Sequence, residues 1–276
     1  MASKTDPLNA GRPLLEWFGK ASRDLPWRKD YEPYAVLVSE VMLQQTQMER
    51  VREYFTRWMR LFPTPLALAE ASEEAVLKAW EGLGYYSRAK NLRRAAEIIA
   101  HEHAGRVPED PDTLRGLPGI GPYTAGAVAS IAYNHPLPAV DANVERVLSR
   151  LCDVDLPVKS PAAKARFRAL VMEIMPEGHA RDFNQALMEL GALICTKNPR
   201  CEVCPLRDFC LARRFGVTAE RPLPGAKTAY EGLEIVTGVL MHKGQIFIQK
   251  RMDTGAWAGL WEFPGGRLEP GETPEQ

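Results

Sequence analysis

Residues 117–130 read LPGIGPYTAGAVAS, and this stretch holds a turn that is predicted to lie between two helices. Gly119 and Gly121 permit a tight turn, and Pro122 suits the first turn of the helix that follows. Backbone N–H groups at such a turn and at a helix N-terminus point outward, which suits a phosphate. A plain connection between two helices is the alternative explanation of the same residues.

The segments around this turn have helical periodicity, and no stretch before residue 230 alternates like a strand. Helices are predicted at 12–20, 34–60, 66–70, 72–80, 87–103, 142–151, 161–175 and 182–194, with two more flanking 117–121. After the Pro- and Gly-bearing stretch 222–232, residues 234–241 and 245–251 are rich in β-forming residues. The sequence therefore predicts a helical first part and a small second domain of a different class.

Composition places the chain among soluble proteins. It has 276 residues, of which 45% are hydrophobic and 25% charged, with a formal net charge of zero. No apolar run is long enough to span a bilayer, and the polar N-terminus lacks the apolar core of a signal peptide. We expect no membrane association and a cytosolic location, where thiols stay reduced.

Four of the five cysteines lie in the stretch CTKNPRCEVCPLRDFC at 195–210. Thiolates so close together are able to ligate one metal centre. Structural zinc usually takes two Cys-x-x-Cys-like pairs, whereas this run has a single pair, so an iron–sulfur cluster is favoured and zinc is the alternative. The predicted ligands are Cys195, Cys201, Cys204 and Cys210. Cys152 is isolated and is predicted to be a small buried hydrophobe.

A carboxylate lies inside the apolar stretch VLVSEVMLQQTQ at 36–47. Glu40 is surrounded there by aliphatic residues, which remove much of the hydration of an ionised carboxylate. The site must therefore pair the charge, open onto a cleft, or let Glu40 hold a proton.

Two further stretches have both a functional and a structural interpretation. In VDANVERV (140–147), Asp141 precedes a predicted helix, and from these residues alone an N-cap is the better explanation. In EGLGYYSRAKN (81–91), tyrosines adjoin Arg88 and Lys90, which suits base stacking near phosphates. The structural alternative is a turn between helices whose tyrosines cover the core.

Taken together, SEVMLQQTQ, WEGLGYYSRAKN, LPGIGPYTAG, VDANVERV and FNQALMELGALIC with the cysteine run resemble the MutY-type adenine DNA glycosylases. That family belongs to the helix–hairpin–helix glycosylases, with endonuclease III as a sister. The resemblance covers about residues 10–214 with its motifs in order. One departure is visible, because the family usually has six residues between its first two cluster cysteines and this chain has five.

The resemblance implies a mainly α fold in several parts. A six-helix barrel domain with the hairpin is expected at 26–136, and an iron–sulfur domain formed by 1–25 and 137–214. A linker at 215–232 and an α/β Nudix-like recognition domain at 233–276 would follow.

The resemblance also implies excision of adenine paired with 8-oxoguanine or guanine in double-stranded DNA, by a monomer holding a [4Fe–4S] cluster. Glu40 would be the acid and Asp141 the stabiliser of the sugar cation, while Asn143 would position these groups. Tyr123 replaces the lysine with which the endonuclease III branch forms a Schiff base, so no lyase chemistry is expected. The adenine pocket would be lined by Trp27, Arg28 and Gln185, and the DNA contacted by Gln45, Tyr85, Arg88, Gly119 and Gly121. Gln45 and Tyr85 would wedge into the duplex.

The residues also bear on three other functions. A non-catalytic DNA-binding module does not explain Glu40 together with Asp141, and an electron carrier has no need of the hairpin. The third function is hydrolysis of nucleoside diphosphates, because LWEFPGGRLEPGET at 260–273 resembles the start of a Nudix box. The downstream acidic segment that binds metal in such a box is absent from this sequence.

We expect an incomplete recognition domain whose apolar side chains, including Phe247, Trp257 and Trp261, lack partners. The expected location is the bacterial cytosol, at the nucleoid.

Overall fold

The computed structural model describes residues 5–225, 232–252, 254–255, 259–269 and 271–273. The chain divides into two compact units, Met1–Ala226 and Lys227–Gln276. The first unit is helical and the second contains short strands, so the predicted change of structural class is confirmed.

Twelve α-helices lie in the described part of the first unit. In chain order they are α1 Gly11–Ala21, α2 Pro33–Leu43, α3 Met48–Leu61, α4 Pro65–Glu70, α5 Glu73–Trp80, α6 Ser87–Glu102, α7 Pro111–Gly116, α8 Pro122–Tyr133, α9 Ala142–Leu151, α10 Pro161–Ile174, α11 Ala180–Leu193 and α12 Leu211–Phe215. Several begin at a residue whose side chain caps the helix, as at Ser72, which accepts from the Ala75 N–H at 3.2 Å. None of the described helices has the length and apolar character that crossing a bilayer requires.

The first unit contains two hydrophobic cores. One is built from buried residues between Leu25 and Ala139, which come from α2 to α8 and the segments joining them. The other joins buried residues of α1, such as Leu14, to residues between Val144 and Leu206. Met188 of α11 packs against both cores, so α11 lies at their junction. Whether the cores are separate domains with the expected boundaries stays a prediction.

The helix predicted over 34–60 is interrupted, because α2 ends at Leu43 and α3 begins at Met48. Gln45 has a φ of 55° at the break, a conformation that a helix cannot contain. The last carbonyls of α2 need partners outside their own helix, and the buried guanidinium of Arg88 donates to those of Val41 and Met42 at 3.0 Å. The end of α2 thus finds its hydrogen-bond donor in Arg88, which is 44 to 47 positions away in the sequence.

The turn of residues 117–121 joins α7 to α8 as predicted. Gly119 has a φ of 77°, and a Cβ at this position would lie 2.8 Å from the Cβ of Asn91. Glycine is required there both by the backbone conformation and by the close approach of α6. Gly121 is the N-cap of α8 and Pro122 its first residue.

Part of the stretch expected to be a linker packs onto the first unit instead. Arg150 Nε donates to the carbonyls of Thr218 and Arg221 at 3.0 Å, and Leu223 forms a parallel β-bridge with Pro157. Residues 216–225 therefore lie in the first compact unit, and the expected bounds of the linker stay a prediction. Local composition suggested a linker, but long-range hydrogen bonds hold these residues.

The second unit contains three two-stranded antiparallel ladders among its described residues. The pairs are β1 Ile235–Thr237 with β6 Gly265–Arg267, β2 Met241–His242 with β3 Gln245–Ile246, and β4 Gln249–Lys250 with β5 Trp261–Glu262. The predicted strands at 234–241 and 245–251 are thus each divided into two. Phe247 and Trp261 are exposed as expected, whereas Trp257 lies outside the described residues.

Candidate active site

A cavity of about 740 Å³ opens between the two cores of the first unit. Its walls come from the segment before α2, from α2 itself, and from the beginnings of α8, α9 and the middle of α11. The predicted site residues that line it are Trp27, Arg28, Glu40, Gln45, Tyr123, Asp141, Asn143 and Gln185. Folding therefore brings together residues that are up to 158 positions apart.

Glu40 lies in the wall of this cavity, with only 5% of its surface exposed. Burial in the apolar face of α2 raises the pKa of Glu40 to about 7, because desolvation disfavours the charged form. The negative charge of Asp141 raises this pKa further, while the Tyr123 hydroxyl and Arg28 lower it. A carboxyl group with such a pKa is able to hold and release a proton near neutral pH.

Tyr123 fixes the orientation of this carboxyl group. Its hydroxyl donates to Oε2 of Glu40 at 2.8 Å, and burial raises the pKa of Tyr123 well above its ordinary value. The phenol therefore stays protonated and acts as a donor. Tyr123 is the second residue of α8, so the predicted hairpin places it against α2.

Asp141 is both an N-cap and a wall residue of the cavity. Its Oδ1 accepts from the Val144 N–H at 2.8 Å, which caps α9, and its Oδ2 accepts from Asn143 Nδ2 at 2.8 Å. The two interpretations of Asp141 are thus compatible, because the cap holds the carboxylate at the cavity wall.

The sequence analysis missed a buried ion pair network beside the cavity. Glu189, 1% exposed, accepts from Arg23 Nε at 2.8 Å and from Arg28 Nη2 at 3.1 Å. Arg28 Nε also donates to Gln185 Oε1 at 2.8 Å, so these two pocket residues are joined by a hydrogen bond. Glu189 follows Gln185 by four residues on α11, and this helical spacing is the signal that could have identified it.

A chain of hydrogen bonds continues from Asp141 through Asn143. The Oδ1 atom of Asn143 accepts from Arg146 Nη2 at 2.8 Å, and the same nitrogen donates to the Gly191 carbonyl. Arg146 Nε reaches the carbonyl of Cys195 at 2.7 Å. The first predicted metal ligand is therefore joined to the start of α9.

All four predicted cysteine ligands line one small cavity at the end of the second core. Arg150, 4% exposed, also borders this cavity, and its Nη1 donates to Cys195 Sγ at 3.5 Å. Four thiols around one space, with a buried cation beside them, fit an anionic thiolate-ligated cluster. Cys152 does not line this cavity, and burial raises the pKa of its thiol to about 12.

Two of the predicted DNA-contacting side chains are exposed, and a third is not. Gln45 is exposed at the rim of the first cavity, and Tyr85 is 60% exposed after α5. Arg88 is only 8% exposed, and its guanidinium donates to backbone carbonyls on both neighbouring loops. Both terminal nitrogens of Arg88 donate within the protein, so the geometry favours a role in holding these loops, and a direct contact of Arg88 with DNA stays a prediction.

Three family models match the chain. Residues 38–170 match the HhH-GPD superfamily base excision DNA repair proteins, and residues 197–210 the iron–sulfur binding domain of endonuclease III. The second match confirms the prediction of an iron–sulfur cluster over zinc. Residues 236–276 match a NUDIX domain.

Solved structures share the fold of the helical unit. A thermostable thymine-DNA glycosylase superposes with a TM-score of 0.67 at 28% identity, covering 74% of this chain and 94% of that one. A non-covalent endonuclease III–DNA complex gives a TM-score of 0.63 at 26% identity, with the same coverage. The helix–hairpin–helix glycosylase fold is therefore confirmed.

Curated relatives identify the family more closely. The adenine DNA glycosylase of Rattus norvegicus is 38% identical over 94% of this chain, and the chain spans 60% of the length of that relative. The adenine DNA glycosylase of Mycobacterium tuberculosis (strain H37Rv) is 44% identical over 80% of this chain and 73% of its own length. With this similarity, and with the fold and cavity described above, the chain belongs to the adenine DNA glycosylase family within the HhH-GPD superfamily.

Proposed function

We propose that this protein is a monofunctional DNA glycosylase that removes adenine mispaired with 8-oxoguanine or guanine in double-stranded DNA. The proposal rests on two carboxyl groups that line the same cavity, Glu40 and Asp141. Glu40 is buried, and its pKa is about 7. Two carboxyl groups in different environments suit acid-assisted cleavage of a glycosidic bond. Membership of the adenine DNA glycosylase family supports adenine as the base.

In this proposal adenine leaves the base stack and enters the cavity. Protonated Glu40 donates its proton to N7 of adenine, which makes the base a better leaving group, and the bond between C1′ and N9 then breaks. The hydrogen bond from Tyr123 holds the carboxyl group in one orientation for this transfer. Arg28 and Gln185, fixed to one another, border the space for the base.

The sugar left behind is a cation resembling an oxocarbenium ion. The Asp141 carboxylate, oriented by Asn143, would stabilise this cation electrostatically. Water then adds to C1′ and returns its proton to the Glu40 carboxylate, so that the acid is regenerated. Tyr123 has no amine with which to form a Schiff base, and the DNA strand would stay intact at the abasic site.

DNA binding would use the helical unit on both sides of the cavity. Backbone N–H groups at the turn containing Gly119 and Gly121, and at the start of α8, suit a phosphate. Gln45 and Tyr85 would wedge into the duplex beside the extruded base. The cluster on the four cysteines would hold the loop of residues 195–210 in shape, and residues after 232 would contribute to recognition of 8-oxoguanine.

The test is excision from a duplex with one adenine opposite 8-oxoguanine, followed by strand analysis with and without hot alkali. We expect cleavage only after alkali, as a monofunctional enzyme requires. Glu40→Gln should slow base removal by about a thousandfold or more while retaining duplex affinity, since it keeps the shape and loses the acid. Substantial turnover by Glu40→Gln, or strand cleavage without alkali, would contradict the proposal.

A further inference from the structure

Arg88 connects two loops that are distant in sequence. Its Nη1 donates to the carbonyls of Val41 and Met42 at 3.0 Å and also to that of Gln44, all at the end of α2. Its Nη2 donates to the carbonyls of Leu83 and Gly84 at 3.1 Å, in the turn between α5 and α6. One buried guanidinium therefore holds the backbone of both loops.

Each loop carries an exposed side chain next to a carbonyl that Arg88 holds. Gln45 follows Gln44 and has a φ of 55°, and Tyr85 follows Gly84 and has a φ of 48°. Non-glycine residues with positive φ persist where the surrounding structure determines their conformation. The hydrogen bonds of Arg88 supply that constraint on both residues at once.

Further contacts of Arg88 support the same conclusion. Its Nη2 donates to Oγ1 of Thr46 at 3.2 Å. Thr46 follows Gln45 in the chain, whereas Gln44 precedes it. Its guanidinium carbon lies 5.6 Å from the centre of the Tyr85 ring and 5.2 Å from that of Trp80. Arg88 thus contacts the carbonyl of the residue before Gln45, the hydroxyl of the residue after it, and the ring of Tyr85 itself.

We propose that Arg88 is a positioning residue that presents Gln45 and Tyr85 to the duplex as one wedge. This inference rests on the proposed function, in which a base leaves the stack. A lysine at position 88 has its three donors on one nitrogen, so it cannot hold the carbonyls of both loops in the same geometry. Arg88→Lys should therefore loosen the wedge while retaining the positive charge.

Arg93 provides a matched control on the same helix. Its Nε donates to the carbonyl of Ala71 at 2.8 Å, so it also holds a loop by its backbone, but that loop carries no proposed wedge residue. Arg93→Lys reports the general effect of losing such an anchor on α6.

The experiment measures base extrusion with a duplex that has 2-aminopurine opposite 8-oxoguanine, since this base brightens when it leaves the stack. We expect Arg88→Lys to weaken extrusion about tenfold, and Arg93→Lys to leave it within twofold of the original protein. In a chain that carries Gln45→Ala and Tyr85→Ala, Arg88→Lys should add less than a twofold effect. That non-additivity distinguishes positioning of the wedge from general packing.

Three results would overturn the inference: unchanged extrusion by Arg88→Lys, an equal loss in Arg93→Lys, or a further tenfold loss in the wedge-free background. If Arg88→Lys does not fold, Thr46→Val removes one partner of Arg88, and normal extrusion by that variant would also contradict the inference. Excision of adenine is measured in parallel with the original protein. Failure of excision would refute the proposed function, whereas the extrusion assay needs no bond cleavage and tests Arg88 separately.

Discussion

At the scale of single residues, the central feature is the opposition of forces on Glu40. Burial and the charge of Asp141 raise its pKa, while the hydrogen bond from Tyr123 and the charge of Arg28 lower it. Full burial without these partners would hold the proton too tightly for transfer, and full exposure would leave none at neutral pH. A pKa of about 7 for Glu40 therefore depends on residues from four separate segments of the chain.

The first prediction concerns Tyr123→Phe, which removes the donor to Glu40 Oε2. That hydrogen bond favours the ionised carboxylate, so its loss should raise the pKa of Glu40 above about 7. Because the protonated form is the active one in the proposed mechanism, excision should persist to higher pH in the variant. The measurement is the single-turnover excision rate from pH 5 to pH 9.

Tyr133→Phe is the control, since the Tyr133 hydroxyl lies on the same helix but donates to the carbonyl of Val107. Tyr133→Phe should leave the pH dependence of the excision rate unchanged. A profile of Tyr123→Phe that stays in place, or moves to lower pH, would show that Glu40 is not the titrating acid or that Tyr123 does not control it.

At the scale of elements, α11 approaches the start of α9 very closely. A Cβ on Gly191 would lie 2.6 Å from the Cβ of Asn143 and 3.0 Å from its carbonyl oxygen. The helix that carries Asp141 as its cap therefore depends on a missing side chain on α11. The Arg146 hydrogen bonds to Asn143 and to the Gly191 carbonyl hold the two helices at this distance.

The second prediction is that Gly191→Ala displaces the start of α9 and with it Asp141. Displacement of a reacting group by a fraction of an ångström should reduce the excision rate by about tenfold to a hundredfold. Duplex affinity should change little, because the turn at Gly119 and the wedge are untouched. Single-turnover rates and binding constants measured side by side will check this.

Gly19→Ala is the matched control, because it lies in α1 and a Cβ there would meet no atom within 4 Å. That change should stabilise the fold by about 0.5–1 kcal/mol and leave excision unaltered. An equal loss of rate in both variants, or none in Gly191→Ala, would refute the argument from close approach.

At the scale of the whole molecule, the third prediction concerns the metal. The purified protein should be brown and hold about four irons per chain. Cys201→Ser should lose iron and reduce duplex affinity about tenfold or more, because the loop of residues 195–210 loses its shape. Cys152→Ala should retain all of the iron, and a zinc-containing colourless protein would overturn the assignment of an iron–sulfur cluster.

The fourth prediction concerns the division into two units. A chain ending at Gly225 retains every residue that lines the catalytic cavity, so it should excise adenine at a rate within about threefold of the original. In the original chain, proteases should cut first after residue 232, where Ile235, Met241 and Trp261 are 59%, 68% and 65% exposed. A large loss of excision in the shortened chain would place part of the active site in the second unit.

The sequence by itself determined the features that depend on neighbouring residues. The cap at Asp141, the glycine turn at 117–121, and the helical periods around them predicted helices that the structure contains. The spacing of the four cysteines predicted their metal, because ligands close in sequence are close in space. The carboxylate of Glu40 in an apolar stretch likewise pointed to a perturbed acid.

Only the tertiary structure decided what depends on distant partners. The end of α2 at Leu43 is held by Arg88, and residues 216–225 join the helical unit through Arg150. The cap Asp141 lines the cavity because α9 packs on α11. Glu189 likewise holds Arg23 and Arg28 from across the junction of the two cores. The physical reason is common to all of these: a buried polar group must find a partner, and the partner is selected by the folded chain and not by the adjacent sequence.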